Sequence, residues 1–316
     1  MPVRRTRMYS YAACGLTIRS DIRFPELAYS RNVADITIRL GSVKYVPDIV
    51  DEMGVSVRAS AEVICCYLKN VGTFIARRGR EITVEPQAAV EEKFLRHFIL
   101  NWALAVTLFQ RGLLVLHGSA VAVKARAAIF LGESGSGKST TAAALHAHGH
   151  RVLADDMVVL HLHAHERAVI FPSLPRLRLC PKTIDFLGYH DERQEALNRW
   201  DERRELLLIA NSVPCTPVPV ARIYVLSQGK KQTIESLCAY EAFRELVRHT
   251  SYAVRRVLEV KPIAALHLLR CTRLVTVVPI CRLRRKLSLS MLSNLHKLIN
   301  DDLSAHSGRH SRVVRG

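Results

Sequence analysis

Residues 132–139 constrain this chain more than any other stretch. They read Gly132-Glu133-Ser134-Gly135-Ser136-Gly137-Lys138-Ser139, which satisfies G-x-x-x-x-G-K-[ST]. An apolar run, 127–131, leads into the loop, and a stretch free of glycine and proline, 139–148, leaves it. The spacing therefore predicts strand, tight loop, helix. The glycines let the backbone curl so that successive N–H groups point inward, and the helix start adds its positive end. Such a cradle suits the phosphates of a nucleotide. Lys138 can reach the β- and γ-phosphates and the Ser139 hydroxyl can ligate Mg²⁺, so ATP and Mg²⁺ are the expected ligands; Thr140 completes the binding set.

A short apolar strand, 151–154, delivers Asp155 and Asp156 soon after the helix. A helix of about three turns and a short return would lay this strand beside the loop strand. One carboxylate can then hold the Mg²⁺ shell while the other orients or deprotonates an attacking hydroxyl. The bland reading is a solvated turn. His117 ends a strand at 113–117, read as the one preceding the loop strand. It can touch the carboxylates or the phosphates, or serve only structure.

Elsewhere the pattern is mixed α/β. Short β-rich patches at 16–18, 36–40, 55–57, 63–68, 73–76 and 82–84, separated by Pro47, Gly54, Gly72 and Gly79, predict a small N-terminal β-rich domain over 1–88. A helix is expected over 91–110, with acidic residues at its positive end. Further strands are expected at 157–162, 169–171, 221–226 and 273–278, and helices at 241–247 and 289–303. The catalytic domain is drawn as 89–303 and a basic flexible tail as 304–316.

Composition narrows the classes. With 316 residues and 49% hydrophobic content, a sizeable core can form. The net charge of +18 favours anionic partners. No aromatic-rich basic cluster resembles a nucleic-acid stacking platform, which argues against nucleic acid. The longest greasy run, 98–109, falls short of the roughly 18 residues of a membrane span and reads as a buried helix. Eight cysteines without a C-x-x-C pair, and no apolar run after the basic 1–7, point to free thiols in the cytoplasm.

His117-Gly118-Ser119-Ala120, the glycine loop and Gly149-His150-Arg151-Val152-Leu153-Ala154-Asp155-Asp156 resemble, in residues and spacing, the catalytic core of HPr kinase/phosphorylase. The resemblance implies a P-loop kinase core of the HPr-kinase and phosphoenolpyruvate-carboxykinase type. It implies Lys138 on phosphate, Ser139 on Mg²⁺, Asp156 accepting the proton of a substrate serine, and His117 assisting; Asp155 as a catalytic residue and Mg²⁺ ligand comes from the carboxylate pair itself. Softer similarity extends to the HPr-kinase-related serine kinases of peptide-modification clusters, lasso-peptide tailoring kinases among them. It runs through Tyr11, Gly15-Leu16-Thr17-Ile18-Arg19-Ser20, Phe171-Pro172-Ser173-Leu174-Pro175-Arg176-Leu177-Arg178-Leu179, Pro219-Val220-Ala221-Arg222-Ile223-Tyr224-Val225-Leu226 and Val278-Pro279-Ile280-Cys281-Arg282-Leu283. Thr140 stands where the parent family carries an acidic residue, and its later Glu-bearing glycine-rich segment has no counterpart. The kinase rather than the phosphorylase chemistry is implied, with a serine-containing peptide or small protein as acceptor and room for a homo-oligomer.

Other readings stay open. A small-molecule kinase on the same fold would need a pocket closed to peptides. A regulatory or transport ATPase module would lack transfer, but no L-S-G-G-Q-like signature is present. A nucleic-acid-associated ATPase would show salt-dependent DNA binding. Arg176 and Arg178 alternate on an extended segment and can face the active site together. Lys182, Arg203 and Arg204 carry charge suited to a lid. His161, His163 and His165 alternate as a zinc trio would, without a completing ligand.

Overall fold

The computed structural model describes residues 8–305 apart from 46, 48–49, 164–166, 174–175, 190–193, 197–202, 208–215 and 260. It is mixed α/β. Its N-terminal part is an eight-stranded sheet, ordered Ala28–Tyr29, Tyr9–Ala13, Leu16–Ser20, Ile36–Leu40, Glu81–Pro86, Gly72–Arg77, Val63–Leu68 and Val55–Ala59. Alternation sets its inner face: Ile36 and Ile38 are buried, as are Ile82 and Val84. These side chains share one core with Leu95, Phe98, Leu104 and Leu108 of the next helical segment.

That segment was expected as one helix and runs as three joined pieces: Glu92–Phe98, a π-helical turn Ile99–Ala103, and Leu104–Gln110. Asn101 sits in the π turn and donates through Nδ2 to the His97 carbonyl at 2.8 Å. Wide turns of this kind recur near functional sites.

A nine-stranded sheet forms the second layer. Strands Arg151–Ala154, Ser119–Val123, Arg126–Leu131 and Val218–Gln228 lie side by side. The long strand Val218–Gln228 then forks. Its beginning pairs with Arg167–Ile170, followed by Val158–His163 and Leu114–Leu116; its later half pairs with Ile280–Arg285, which pairs with Thr233–Ser236. Helices Lys138–Ala147 and Leu292–Ala305 pack on one face through Ala142, Leu145, Leu292 and Ile299. Helices Ala239–Arg248 and Lys261–Val277 cover the other through Leu246, Cys271 and Leu274.

Strand directions decide where chemistry gathers. Arg126–Leu131, Val218–Gln228 and Ile280–Arg285 are mutually parallel, so Leu131, Gln228 and Arg285 end on one edge. Ser119–Val123 is antiparallel to both of its neighbours. It therefore starts at that same edge, where Arg151–Ala154 also finishes. Carboxyl ends of parallel strands are where open α/β sheets bind ligands.

Three expectations need correction. The strand carrying Asp155 and Asp156 does not lie beside the loop strand: Ser119–Val123 stands between them, because it turns back at once into Arg126–Leu131 as a hairpin. For the same reason His117 does not end the strand preceding the loop strand. Residues 273–278 are not a strand but lie largely in helix Lys261–Val277. Their β-branched content suggests extension, yet Cys271, Leu274 and Val278 enter the core at helical spacing and packing prevails. The trailing helix begins with a 3₁₀ turn, Leu289–Met291, and ends at Ala305; 306–316 lie outside the described residues.

Candidate active site

Strand Arg126–Leu131 runs into the glycine loop, and helix Lys138–Ala147 leaves it. Gly132, Gly135 and Gly137 have φ of 149°, 79° and 86°, conformations that L side chains rarely adopt. Gly118 answers a different need. A Cβ there would lie 2.7 Å from the Phe130 carbonyl oxygen, so glycine lets residues 117–119 press against the loop strand.

Lys138 is buried and folds back over the loop, donating from Nζ to the carbonyls of Gly132 (2.9 Å) and Glu133 (3.0 Å). Burial depresses its ammonium, while Asp156 and Asp155 act in the opposite sense. An ammonium carries three donors, so one remains for a further acceptor. Glu133 pairs outward with Arg248 at 2.6 Å.

Asp155 collects donors. Its Oδ1 accepts from Ser119 Oγ at 2.5 Å and Ser139 Oγ at 2.9 Å, and its Oδ2 accepts from the Arg178 backbone N–H at 3.0 Å. Burial, then the adjacent Asp156 charge, push its carboxyl up to about 7 against those donors. Asp156 moves the other way. Burial opposes its ionisation, but Arg176, Arg178 and His117 outweigh it and hold the carboxyl below the usual range. Neighbouring carboxylates pushed apart in this way suit different tasks. Asp156 also has φ of 65°, a left-handed conformation uncommon outside glycine, and such strain clusters at functional sites.

His117 Nδ1 lies 3.1 Å from the Asp156 carbonyl oxygen, which can only accept, so Nδ1 carries the proton. Burial first and Lys138 second depress the imidazole, favouring the neutral ring with Nε2 as acceptor. Its backbone N–H donates to the His249 carbonyl at 2.8 Å.

The two arginines of strand Arg176–Leu179 both bear on Asp156. Arg176 is buried, pairs with Glu205 at 2.8 Å, and reaches Asn101 of the π turn at 3.2 Å. Arg178 lies 3.7 Å from Asp156 Oδ2. The structure thus brings Lys138, Ser139, Asp155, Asp156 and His117 together at one sheet edge. Glu133, Ser134, Gly135 and Ser136 border a cleft of about 510 Å³ that His249, Arg282 and Leu287 also line. Thr140 stands in the first turn of the helix.

The weaker readings fare unevenly. His161 Nε2 faces the Cys14 carbonyl at 3.3 Å, and His165 lies outside the described residues. No group of three His, Cys, Asp or Glu suited to a metal occurs among the described residues. Lys182 belongs to helix Pro181–Leu187, Arg204 opens strand Arg204–Leu207, and Arg203 helps depress Lys138. Cys65 and Cys66 are buried thiols whose ionisation burial opposes. Among the described residues no helix is long and apolar enough to cross a membrane. The sequence assigned no role to Ser119, quoted only as part of a motif, which donates to Asp155, to Asn101, which steadies Arg176, or to Arg285, which lies against the glycine loop.

The chain is a mixed α/β protein in which a glycine loop between strand and helix faces paired carboxylates. Comparison is more specific. A stretch of 66 residues is 47% identical to HPr kinase/phosphorylase of Lactobacillus delbrueckii subsp. bulgaricus, covering 21% of this chain and 20% of that protein. A relationship to the HPr kinase/phosphorylase family is thereby supported over that stretch, and the chain spans about a fifth of the length of the curated relative. The solved Hpr(Ser) kinase/phosphatase from Coxiella burnetii aligns with 61% of this chain and 99% of its own at 9% identity, with a TM-score of 0.35, too low to carry an argument. No family model matches the chain.

Proposed function

We propose that this protein is an ATP- and Mg²⁺-dependent serine kinase of the cytoplasm, transferring the γ-phosphoryl of ATP to a serine hydroxyl of a peptide or small protein. One observation carries the reading: Ser139 of the glycine loop bonds to Asp155, and the next residue, Asp156, is held ionised beside it. The residues fit the ligands. The positive-φ glycines form an anion cradle, and the adjoining cleft is of a size that holds a nucleoside.

Mg²⁺, when bound, would neutralise phosphate charge, with Ser139 and Asp155 as its protein ligands. The loop amides and Lys138 bind and align the phosphates. Asp156 orients the acceptor hydroxyl. The serine Oγ–P bond forms as the bridging P–O bond to the β-phosphate breaks, ADP leaves with the electron pair, and the hydroxyl proton passes to Asp156. A carboxylate held below its usual range is a weak base, which suits a loose transition state in which alignment outweighs deprotonation. His117, neutral, steadies the Asp156 main chain.

The test is incubation of the protein with γ-labelled ATP, Mg²⁺ and serine peptides. Label should reach a serine, and Asp156→Asn should lower transfer by roughly 10²–10⁴-fold. Full transfer by Asp156→Asn would refute the assigned base; hydrolysis without any acceptor would refute the kinase.

A further inference from the structure

Arg285 ends strand Ile280–Arg285 and is only 3% exposed. Its backbone is pinned, since it pairs with Gln228 in register and accepts the Gly229 N–H at 2.9 Å. The guanidinium turns under the glycine loop, where Nη2 donates to the Ser136 carbonyl (3.1 Å), the Gly137 carbonyl (3.2 Å) and the Thr141 hydroxyl (3.2 Å). A Cβ on Gly137 would lie 2.3 Å from that same nitrogen. The last glycine of the loop is therefore needed for Arg285 to approach, as well as for its own positive φ.

The consequence follows from peptide geometry. In a trans peptide the C=O and the following N–H point in opposite directions, and no cis bond occurs among the described residues. Drawing the carbonyls of Ser136 and Gly137 toward the guanidinium turns the N–H groups of Gly137 and Lys138 to the other side, into the cradle. We propose that Arg285 is a positioning residue that sets the amides of the glycine loop toward phosphate, a role that rests on the nucleotide reading above.

A second observation agrees. Arg285 faces no carboxylate among the described residues, and its Nε is buried without a partner. A buried cation lacking a counter-charge is costly on its own. Its placement is explained if an anion occupies the far side of the loop, where the positive charge acts through the peptide groups it orients. Arginine rather than lysine suits the task, because a planar fork in a fixed strand can hold several acceptors at once.

Wild type, Arg285→Met and Thr141→Val are titrated with MgATP and, separately, with magnesium tripolyphosphate by calorimetry, after circular dichroism confirms folding. Thr141→Val removes one of the three acceptors. For Arg285→Met both ligands should bind roughly 10–100-fold more weakly, as for loss of charge-assisted hydrogen bonds. For Thr141→Val the loss should be a few-fold. In the transfer assay, KM for ATP should rise with kcat within about twofold, a split that general loosening of the core would not produce. Failure of wild type to bind MgATP would sink the nucleotide reading itself. Binding by wild type and equally tight binding by folded Arg285→Met would sink only the role of Arg285. If Arg285→Met does not fold, undiminished affinity in Thr141→Val overturns the proposal instead.

Discussion

Ser139 Oγ and Asp155 Oδ1 lie 2.9 Å apart, joining the first turn of the loop helix to the end of a strand two positions away in the sheet. The hydroxyl donates here to the same oxygen that accepts from Ser119. A cation between hydroxyl and carboxylate would replace that proton with its own charge. Asp155→Asn keeps the shape and removes the charge. Its Mg²⁺ requirement, read as the half-saturating concentration for phosphoryl transfer, should rise by roughly tenfold or more. An unchanged Mg²⁺ curve would remove Asp155 from the metal shell.

Asp156 is strained as well as charged, and the two properties separate by substitution. At φ 65° an alanine suffers the left-handed penalty while a glycine does not. Asp156→Gly should therefore be more stable than Asp156→Ala by about 1 kcal/mol in urea denaturation, although both lose transfer. Equal stabilities would mean that the backbone relaxes and that the residue stores no strain.

How far the chain could be read in advance depended on which forces were local. Strands Ile36–Leu40, Val63–Leu68 and Arg151–Ala154 were legible because short apolar runs bounded by turn residues suffice to mark them. The glycine loop was legible because its chemistry is written in consecutive residues. Ser119–Val123 was not: every residue is buried, so it lacks the alternation of a half-exposed strand. Missing that strand misplaced the carboxylates by one position in the sheet. Arg285 was hidden more deeply, since its bond to Ser136 spans 149 positions and depends on parallel pairing with Val218–Gln228. Asn101 needed a π turn that no propensity indicates.

An ion pair built on the buried Arg222 adds to the hold that Leu292 and Ile299 give the C-terminal helix. Arg222 Nη1 donates to both Asp302 carboxylate oxygens at 2.6 Å, and the Tyr224 hydroxyl donates to Oδ2 at 2.6 Å. Removing one member leaves a buried charge uncompensated, which costs about 3–5 kcal/mol. Asp302→Ala should lower unfolding free energy by that amount, and Asp302→Asn by less, since the amide oxygen can still accept. Urea midpoints at neutral pH decide it, and a change below roughly 1 kcal/mol would mean that water replaces the carboxylate.

His267 gives the fold a pH dependence away from the glycine loop and its carboxylates. It is fully buried in helix Lys261–Val277, with Nε2 2.8 Å from Thr250 Oγ1 and 3.5 Å from Cys271 Sγ, and its ring lies 5.9 Å from that of Phe109. Burial first, and the Arg270 charge second, pull its pKa from 6.5 to about 4. In the unfolded chain the imidazole takes up a proton near pH 6.5, whereas in the folded protein it does so only near 4. The unfolded state thus binds more protons between those values, and stability falls as pH drops through that window. The loss is roughly 3 kcal/mol, from about 1.4 kcal/mol per pH unit. Asn and Gln can keep a hydrogen bond to Thr250 without titrating, so His267→Gln should be less stable than wild type near pH 7.5 yet lose less on acidification to pH 5. Comparing the two cancels other groups that titrate in the same range, including His117, His161 and Asp155. Parallel stability curves for the two proteins over that range would show that His267 is protonated as readily when folded as when unfolded.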